Sequence, residues 1–389
     1  MALGSERVAV DAVCGRVVAD DVVSPFDIPA FDYSTMDGYA VALASFDASG
    51  PFTLPVLGES RSGEIPADLV PGCASRIFTG AAMPKGADAV VMQESVIRAG
   101  DRATFDARPR AGQYIRRRGE DLSRGAVAIA RGTRMRPAHA GLAAACDRAW
   151  VDVARRPIVT ILTTGDELRA PGTSAVPGTI PETNGIALRA MAERAGATAR
   201  IAPIVRDDRA VTERAVMSAL DGCDVLVTVG GVSVGDHDWV RPALEAASVT
   251  LDFWRVAMKP GKPVALGRRG RTVALGLPGN PSSAMITFAL LGVPLLRAMQ
   301  GDRAPVVPTR GARLGSAFSR AEAGRTEFLR ATLTRGDDGV VVATPIVNQA
   351  SGATSSMAEA DALLCVPAAT TQLARGAPCD VLLLEELGA

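Results

Sequence analysis

Hydrophobic and polar positions divide the chain into stretches of different rhythm. Residues 5–20 and 137–150 read as short helices, the second Ala-rich and opening near Pro137, which suits a first helical turn. Between them, about 45–130 carries short alternating runs (FTLPVLG, SRIFTG, DAVVMQESV) punctuated by Gly and Pro. That pattern predicts a small all-β domain with frequent turns. If the flanking helical pieces pack together, the β domain is an insertion into a discontinuous first domain.

From Pro157 the rhythm changes. PIVTILTTGDE is an apolar strand ending in a Gly-Asp-Glu turn; 184–195 reads as a helix, 198–205 as a strand and 209–221 as a helix. DVLVTVGG is a second wholly apolar strand, followed by a helix near 238–247, strands near 250–257, 263–267 and 272–277, and a long helix over 281–299. This alternation predicts an α/β unit with a parallel sheet and ligands at the carboxyl ends of its strands. After about residue 305, TEFLRATLTRGDDGVVVATP reads as a hairpin turning at Asp337–Gly339, and DVLLLEEL as a last strand. The expected division is 1–42 with 131–155, then 43–130, 156–303 and 304–389.

Composition narrows the function classes. A chain of 389 residues exceeds what one core usually organises. Lys+Arg and Asp+Glu balance at 42 each, which argues against a nucleic-acid partner or an acidic tail. Six scattered cysteines without a C-x-x-C pair, and only His139 and His237, leave too few ligands for a structural zinc site. Unpaired cysteines fit a reducing compartment. The N-terminus shows no signal-peptide pattern and the longest apolar run, Ile286 to Leu296, is too short to span a bilayer. A soluble cytoplasmic protein with no membrane partner is expected.

The candidate chemistry lies in turns. GGVSVGDHD follows an apolar strand and precedes a helix: Gly230, Gly231 and Gly235 admit a ligand to the backbone, Ser233 adds a hydroxyl, and the helix start offers N–H groups. The glycines alone would serve a tight turn, but Asp236 and Asp238 beside a phosphate cradle suit a divalent cation. TTGDE brings Asp166 and Glu167 to an equivalent strand end, either as caps or facing the same crevice. Thr183, before Asn184, reads as an N-cap at that crevice. MKPGKP aims Lys259 and Lys262 from a loop stiffened by prolines, as an oxyanion requires. In GLPGNPSS, Pro281 opens a helix whose first turn holds Ser282 and Ser283, a second anion site. IRRRGED sets arginines beside Glu120 and Asp121. FDYSTMDGYA places Tyr33 and Tyr39, two of only three tyrosines, around Asp37.

Taken in order, FDYSTMDGYAV, IFTGAAMP, IRRRGED, TTGDEL, the Thr-Asn of PETNG, VRDD, GGVSVGDHD, MKPGKP and GLPGNPSS resemble the molybdopterin molybdenumtransferase family over nearly the whole chain. The resemblance implies a multidomain α/β fold. Its parts are a discontinuous N-terminal domain, an inserted β domain, a three-layer molybdopterin-binding α/β domain with a parallel-rich sheet, and a barrel-like C-terminal β domain. It implies a homodimer whose subunits share the active site, and a reaction of adenylylated molybdopterin with molybdate that releases AMP and uses Mg2+. By motif, it assigns catalytic roles to Asp37, Asp121, Glu167, Asp207, Asp238 and Lys259. Thr79, Thr183, Asn184, Gly230, Gly231, Ser233, Gly235, Lys262, Pro278, Pro281, Ser283, Arg325 and Ser351 become binding residues, and Asp236, Asp238 and Glu167 ligands of Mg2+. Other proteins of cofactor synthesis are implied as partners. This chain carries Glu182 where the family usually has Asp, Arg255 for a common lysine, and QASG in place of a Gln-Gly-Ser start.

Three other readings share some of these features. A paralogue preferring tungstate would keep every motif. The adenylyltransferase of the preceding step shares the α/β unit and Gly-Gly turn but is one small domain. A scaffold, as in the related domain of gephyrin, would not need the acidic and lysine motifs intact.

Overall fold

A computed structural model describes residues 3–46, 50–231 and 238–389. The first expected helix is absent: β1 (Ser5–Ala9) runs into a single 3-10 turn at Val10–Ala12. The stretch is rich in β-branched valine, which suits a strand. Gly15, at φ +81°, then turns the chain out of any helical course.

The inserted sheet follows. It consists of β2 (Gly38–Val41), β3 (Phe52–Ser60), β4 (Ala74–Ile77), β5 (Ala89–Met92), β6 (Val96–Ala99) and β7 (Arg102–Phe105), in spatial order β5-β2-β4-β3-β7-β6. Its core includes Tyr39, Phe46, Phe52 and Phe105, with Phe105 edge-on to both Tyr39 and Phe46. The chain then returns through α1 (Pro137–Ala145), the expected helix, to β8 (Trp150–Ala154). β8 pairs antiparallel with β1 from Ser5↔Ala154 to Ala9↔Trp150. Val13 and Val18 from before the insertion share one core with Met135, Ala143 and Val153 from after it. His139 accepts the Arg136 N–H at Nδ1, closing the first turn of α1.

The α/β unit comprises β9 (Ile158–Thr163), α2 (Asn184–Arg194), β10 (Thr198–Ile201), α3 (Arg209–Leu220), β11 (Val225–Val229), α4 (Val240–Ala246) and β12 (Thr250–Arg255). It continues through β13 (Met258–Lys259), β14 (Pro263–Arg269), β15 (Thr272–Leu277), α5 (Pro281–Thr287) and α6 (Val293–Met299). The sheet order is β10-β9-β11-β15-β14-β12, with the first four strands paired in parallel and β14 paired antiparallel to both β15 and β12. β10 stops short of its expected end because Pro203 has no N–H for the ladder. The apolar strands are explained by burial on both faces. In β11, Val225, Val227 and Val229 enter one core with α2, α5 and α6, while Leu226 enters the other with α3 and α4.

The expected helix 281–299 is a continuous rod interrupted by a π turn at Phe288–Gly292. Gly292 is required there, since a Cβ would meet the Phe288 ring at 2.3 Å. By length and composition alone its 19 residues are apolar enough to cross a membrane, a longer span than Ile286–Leu296. Their apolar side chains instead fill the α/β core: Ile286, Phe288, Val293 and Leu296 are fully buried.

The last unit is a closed barrel of β16 (Arg310–Leu314), β17 (Thr326–Arg335), β18 (Val341–Pro345), β19 (Ala362–Val366) and β20 (Pro378–Leu383). The order β17-β18-β16-β20-β19 closes by β17–β19 pairing. The expected hairpin is β17–β18, turning at Gly336–Gly339. DVLLLEEL is strand only to Leu383 and then turns helical over Leu384–Leu387. β13 leaves the α/β unit and pairs in parallel with β17, Met258 against Thr326 and Lys259 against Glu327.

Ion pairs tie the first domain to the α/β unit, Arg134 with Asp302 at 2.9 Å and Arg155 with Asp224. Arg155 grips Asp224 with two N–H···O bonds of 2.6 and 2.7 Å, and Asp224 also accepts the Ile158 N–H. Burial opposes ionisation of Asp224, but the guanidinium and that N–H outweigh it and hold its pKa below the ordinary 3.8. A depressed carboxylate contributes stability above its unfolded pKa and loses it as pH falls through the folded one. Asp224→Asn should therefore cost about 1–2 kcal/mol at pH 7. The penalty should shrink as pH falls from 3.8 through the lowered folded pKa of Asp224 in urea melts; an undiminished penalty in acid would contradict this account.

Candidate active site

The carboxyl ends of β9, β11 and β15 meet the start of α2. Gly230 donates its N–H to Leu277 O at 3.2 Å. A Cβ on it would lie 2.8 Å from Thr164 O, so only glycine fits between the strand ends. Gly231 is equally pressed, against Val240 at the start of α4. Asn184 donates Nδ2–H to Gly279 O at 2.8 Å, stitching α2 to the GLPGNPSS turn, while its Oδ1 is buried without a protein partner. An orphaned buried acceptor in a backbone-lined crevice invites a ligand donor or water. Thr183 does not cap α2; the buried Glu182 does, accepting the Gly185 N–H at 2.7 Å through Oε1. The longer Glu thus serves where the Thr side chain does not reach.

The acidic loops at this end are joined. Asp166 and Asp207 each accept the other's backbone N–H at 3.3 Å, and Arg206 pairs with Asp166 at 3.8 Å. Glu167 is exposed and folds over Gly165. Asp238 is half-buried just before α4. Ser233, Gly235, Asp236 and His237 lie outside the described residues. Among the described residues no group of three or more His, Cys, Asp or Glu is arranged to hold a metal ion.

The lysine loop leads from the crevice to the barrel. Gly261, at φ +100°, packs so closely on α5 that a Cβ would meet Thr287 Oγ1 at 2.3 Å. This contact sets the MKPGKP loop against the helix that carries Ser283. Lys259 Nζ binds the buried Glu327 at 2.8 Å, and Glu327's other oxygen lies 3.5 Å from Arg320. Lys259, Arg320, Arg325 and Glu327 line one cavity of about 250 Å³. Lys262 is exposed, and its carbonyl accepts the Val256 N–H. Pro281 opens α5 as expected, and Pro278 is buried one turn earlier. Ser282 and Ser283 are both buried, and Ser282 N–H donates to Ser351 O at 3.0 Å. The barrel loop carrying Ser351 therefore sits directly on the start of α5.

Asp37 and Thr79 meet elsewhere, within the insertion. Asp37 Oδ1 accepts both the Thr79 N–H and the Thr79 hydroxyl at 2.8 Å. These bonds hold its carboxyl below the usual range. Asp121 is exposed on the arginine turn, where Arg117 pairs with Asp32, Arg118 with Asp27 and Arg116 with Glu120. One chain thus holds the predicted residues in two places: a crevice between the α/β unit and barrel, and a polar edge of the insertion. Sequence reasoning missed Glu327, Arg320 and Arg330. The available signal was a charged residue inside the apolar run TEFLRATL.

The fold and crevice define a class first: a multidomain α/β protein whose strand-end crevice adjoins a β-barrel and which carries a separate β insertion. The MoeA N-terminal region (domains I and II) matches residues 2–146, a probable molybdopterin binding domain matches 160–298, and the MoeA C-terminal region (domain IV) matches 312–384. A molybdopterin molybdenumtransferase of Haemophilus influenzae is 36% identical over 84% of this chain and 80% of its own length. Molybdopterin molybdenumtransferase 2 of Mycobacterium tuberculosis is 36% identical over 94% and 92%. The Bacillus subtilis molybdopterin molybdenumtransferase is 33% identical over 98% and 90%. The crystal structure of a molybdopterin biosynthesis MoeA protein from Pyrococcus horikoshii superposes with a TM-score of 0.84 at 29% identity, covering 97% of this chain and 94% of that one. The chain belongs to the molybdopterin molybdenumtransferase family.

Proposed function

We propose that this chain transfers molybdenum from molybdate to adenylylated molybdopterin, releasing AMP, in a cytoplasmic homodimer with shared sites. The observation that carries the reading is the junction of α5, the lysine loop and the barrel. There Lys259 and Arg325 line one small cavity, and Ser351 accepts the Ser282 N–H at the helix start, next to Ser283. Fixed cations and N–H groups of this kind favour a tetrahedral dianion such as molybdate. The glycine-lined strand ends beside it suit the pterin nucleotide's phosphates.

Glu167 and Asp238 are hard oxygen donors of the kind Mg2+ takes, since it binds through one or two carboxylates and completes its shell with substrate phosphates and water. When bound, Mg2+ would neutralise phosphoanhydride charge; Asp236 adjoins the set in sequence. The chain's own residues orient the substrates: Asn184 and Gly230 hold the strand-end crevice, and Lys259 holds the oxyanion.

Asp37, Thr79 and Asp121, remote from that crevice in hydrogen bonding, would be offered to a partner subunit. The test is reconstitution with adenylylated molybdopterin, molybdate and Mg2+, following AMP release and active cofactor. Mixing an inactive Asp121→Ala chain with an inactive Lys259→Ala chain should restore up to roughly a quarter of wild-type activity, because one site per mixed dimer is intact. No AMP release by the wild type would overturn the transfer reading. Mixtures as inactive as their parents would overturn site sharing.

A further inference from the structure

Among the described residues, Arg330 is the charged residue this fold hides most completely. It lies in β17, only 2% exposed. Nε and the backbone N–H donate to Gln349 Oε1 at 3.2 and 3.1 Å. Nη1 donates to Ser282 Oγ at 2.6 Å and reaches the Ala350 and Ala353 carbonyls, and Nη2 also donates to Ala350 O. Every one of these acceptors is neutral. Among the described residues no carboxylate pairs with it. A guanidinium buried without a counter-charge is disfavoured, and here burial lowers its pKa with no charged group offsetting the effect.

The bonds have a direction. They join the first turn of α5, which holds Ser282 and Ser283, to the loop 349–353, which holds Ser351. A trans peptide points its C=O and N–H in opposite directions. With Ala350 O held by Arg330, the N–H of Ser351 faces away from the guanidinium, and no acceptor among the described residues receives it. Ser282 Oγ, which accepts from Arg330, passes its own proton to Ala353 O at 2.8 Å, fixing the hydroxyl rotor and the loop together.

Resting on the molybdate reading above, we infer that Arg330 is the positioning residue of the oxyanion pocket. It sets the Ser351 peptide as a donor and fixes the first turn of α5 against it, and it supplies a buried positive charge that only the arriving dianion offsets. Lys259 and Arg325 would make the direct contact, and Arg330 would act through the residues it holds.

The test compares wild type, Arg330→Lys and Arg330→Met, each titrated calorimetrically with sodium molybdate and separately with AMP as a probe of the strand-end crevice. Lysine keeps the charge but not the fork, so its molybdate affinity should fall about tenfold. Methionine removes both, and affinity should fall about a hundredfold, with AMP affinity within about twofold of wild type for each. A merely structural arginine would lower both melting temperatures yet leave molybdate affinity within about twofold in the folded variants, and that overturns the inference. Equal losses for AMP and molybdate also overturn it. If the methionine variant does not fold, the lysine variant decides alone. A wild type that takes up no molybdate overturns the functional reading together with this one, whereas a binding wild type with unaffected variants overturns this one alone.

Discussion

Lys259→Ala is expected to lower molybdenum transfer by about a hundredfold or more, because a fixed cation at the reacting oxyanion contributes on that scale. The melting temperature should barely move. Lys259 is 55% exposed, and the buried Glu327 it leaves behind keeps Arg320 at 3.5 Å. Lys259→Arg restores the charge but not a point donor at the 2.8 Å Glu327 contact, so recovery should be partial. Steady-state transfer rates alongside scanning fluorimetry check both halves. A variant that keeps transfer within threefold, roughly 0.6 kcal/mol of barrier, would remove Lys259 from the site.

Gly38→Ala should be the most damaging small substitution in the insertion. β2 lies between β4 and β5, and a Cβ at Gly38 would stand 2.0 Å from Val91 O and 2.9 Å from its carbonyl carbon. Backbone on a paired strand has no side-chain freedom with which to retreat, so about 2–4 kcal/mol of stability should be lost. Because Gly38 follows Asp37, the Asp37–Thr79 bonds should be disturbed as well. Urea melts and limited proteolysis of the insertion would report the change. A midpoint within experimental error of wild type would show that the sheet opens at this point.

The α/β unit was legible because its signal is local. VLVTV is apolar but for Thr228, and every position of it is buried. The insertion was equally open to reading, since alternation and Gly-Pro turns are short-range. Residues 5–20 misled because their strand partner lies beyond the whole insertion: Ser5 pairs with Ala154, and no window of sequence contains both. Motifs marked the lysine and serine loops, but not what holds them. Glu327 meets Lys259 through a two-residue ladder between units, and Arg330 meets Ser282 across 48 positions. Such partners are decided by tertiary packing alone. Glu182 illustrates the same limit at short range, where the residue next to the expected cap does the capping.

The short ladder between Met258–Lys259 and Thr326–Glu327 has a consequence for domain exchange. A loop residue of one unit is seated by a strand residue of the other, so exchanging either unit alone would put that contact at risk. A chimera that grafts a relative's barrel onto this α/β unit would fold as two sound halves and still misplace its lysine unless the graft brought a carboxylate at the Glu327 position.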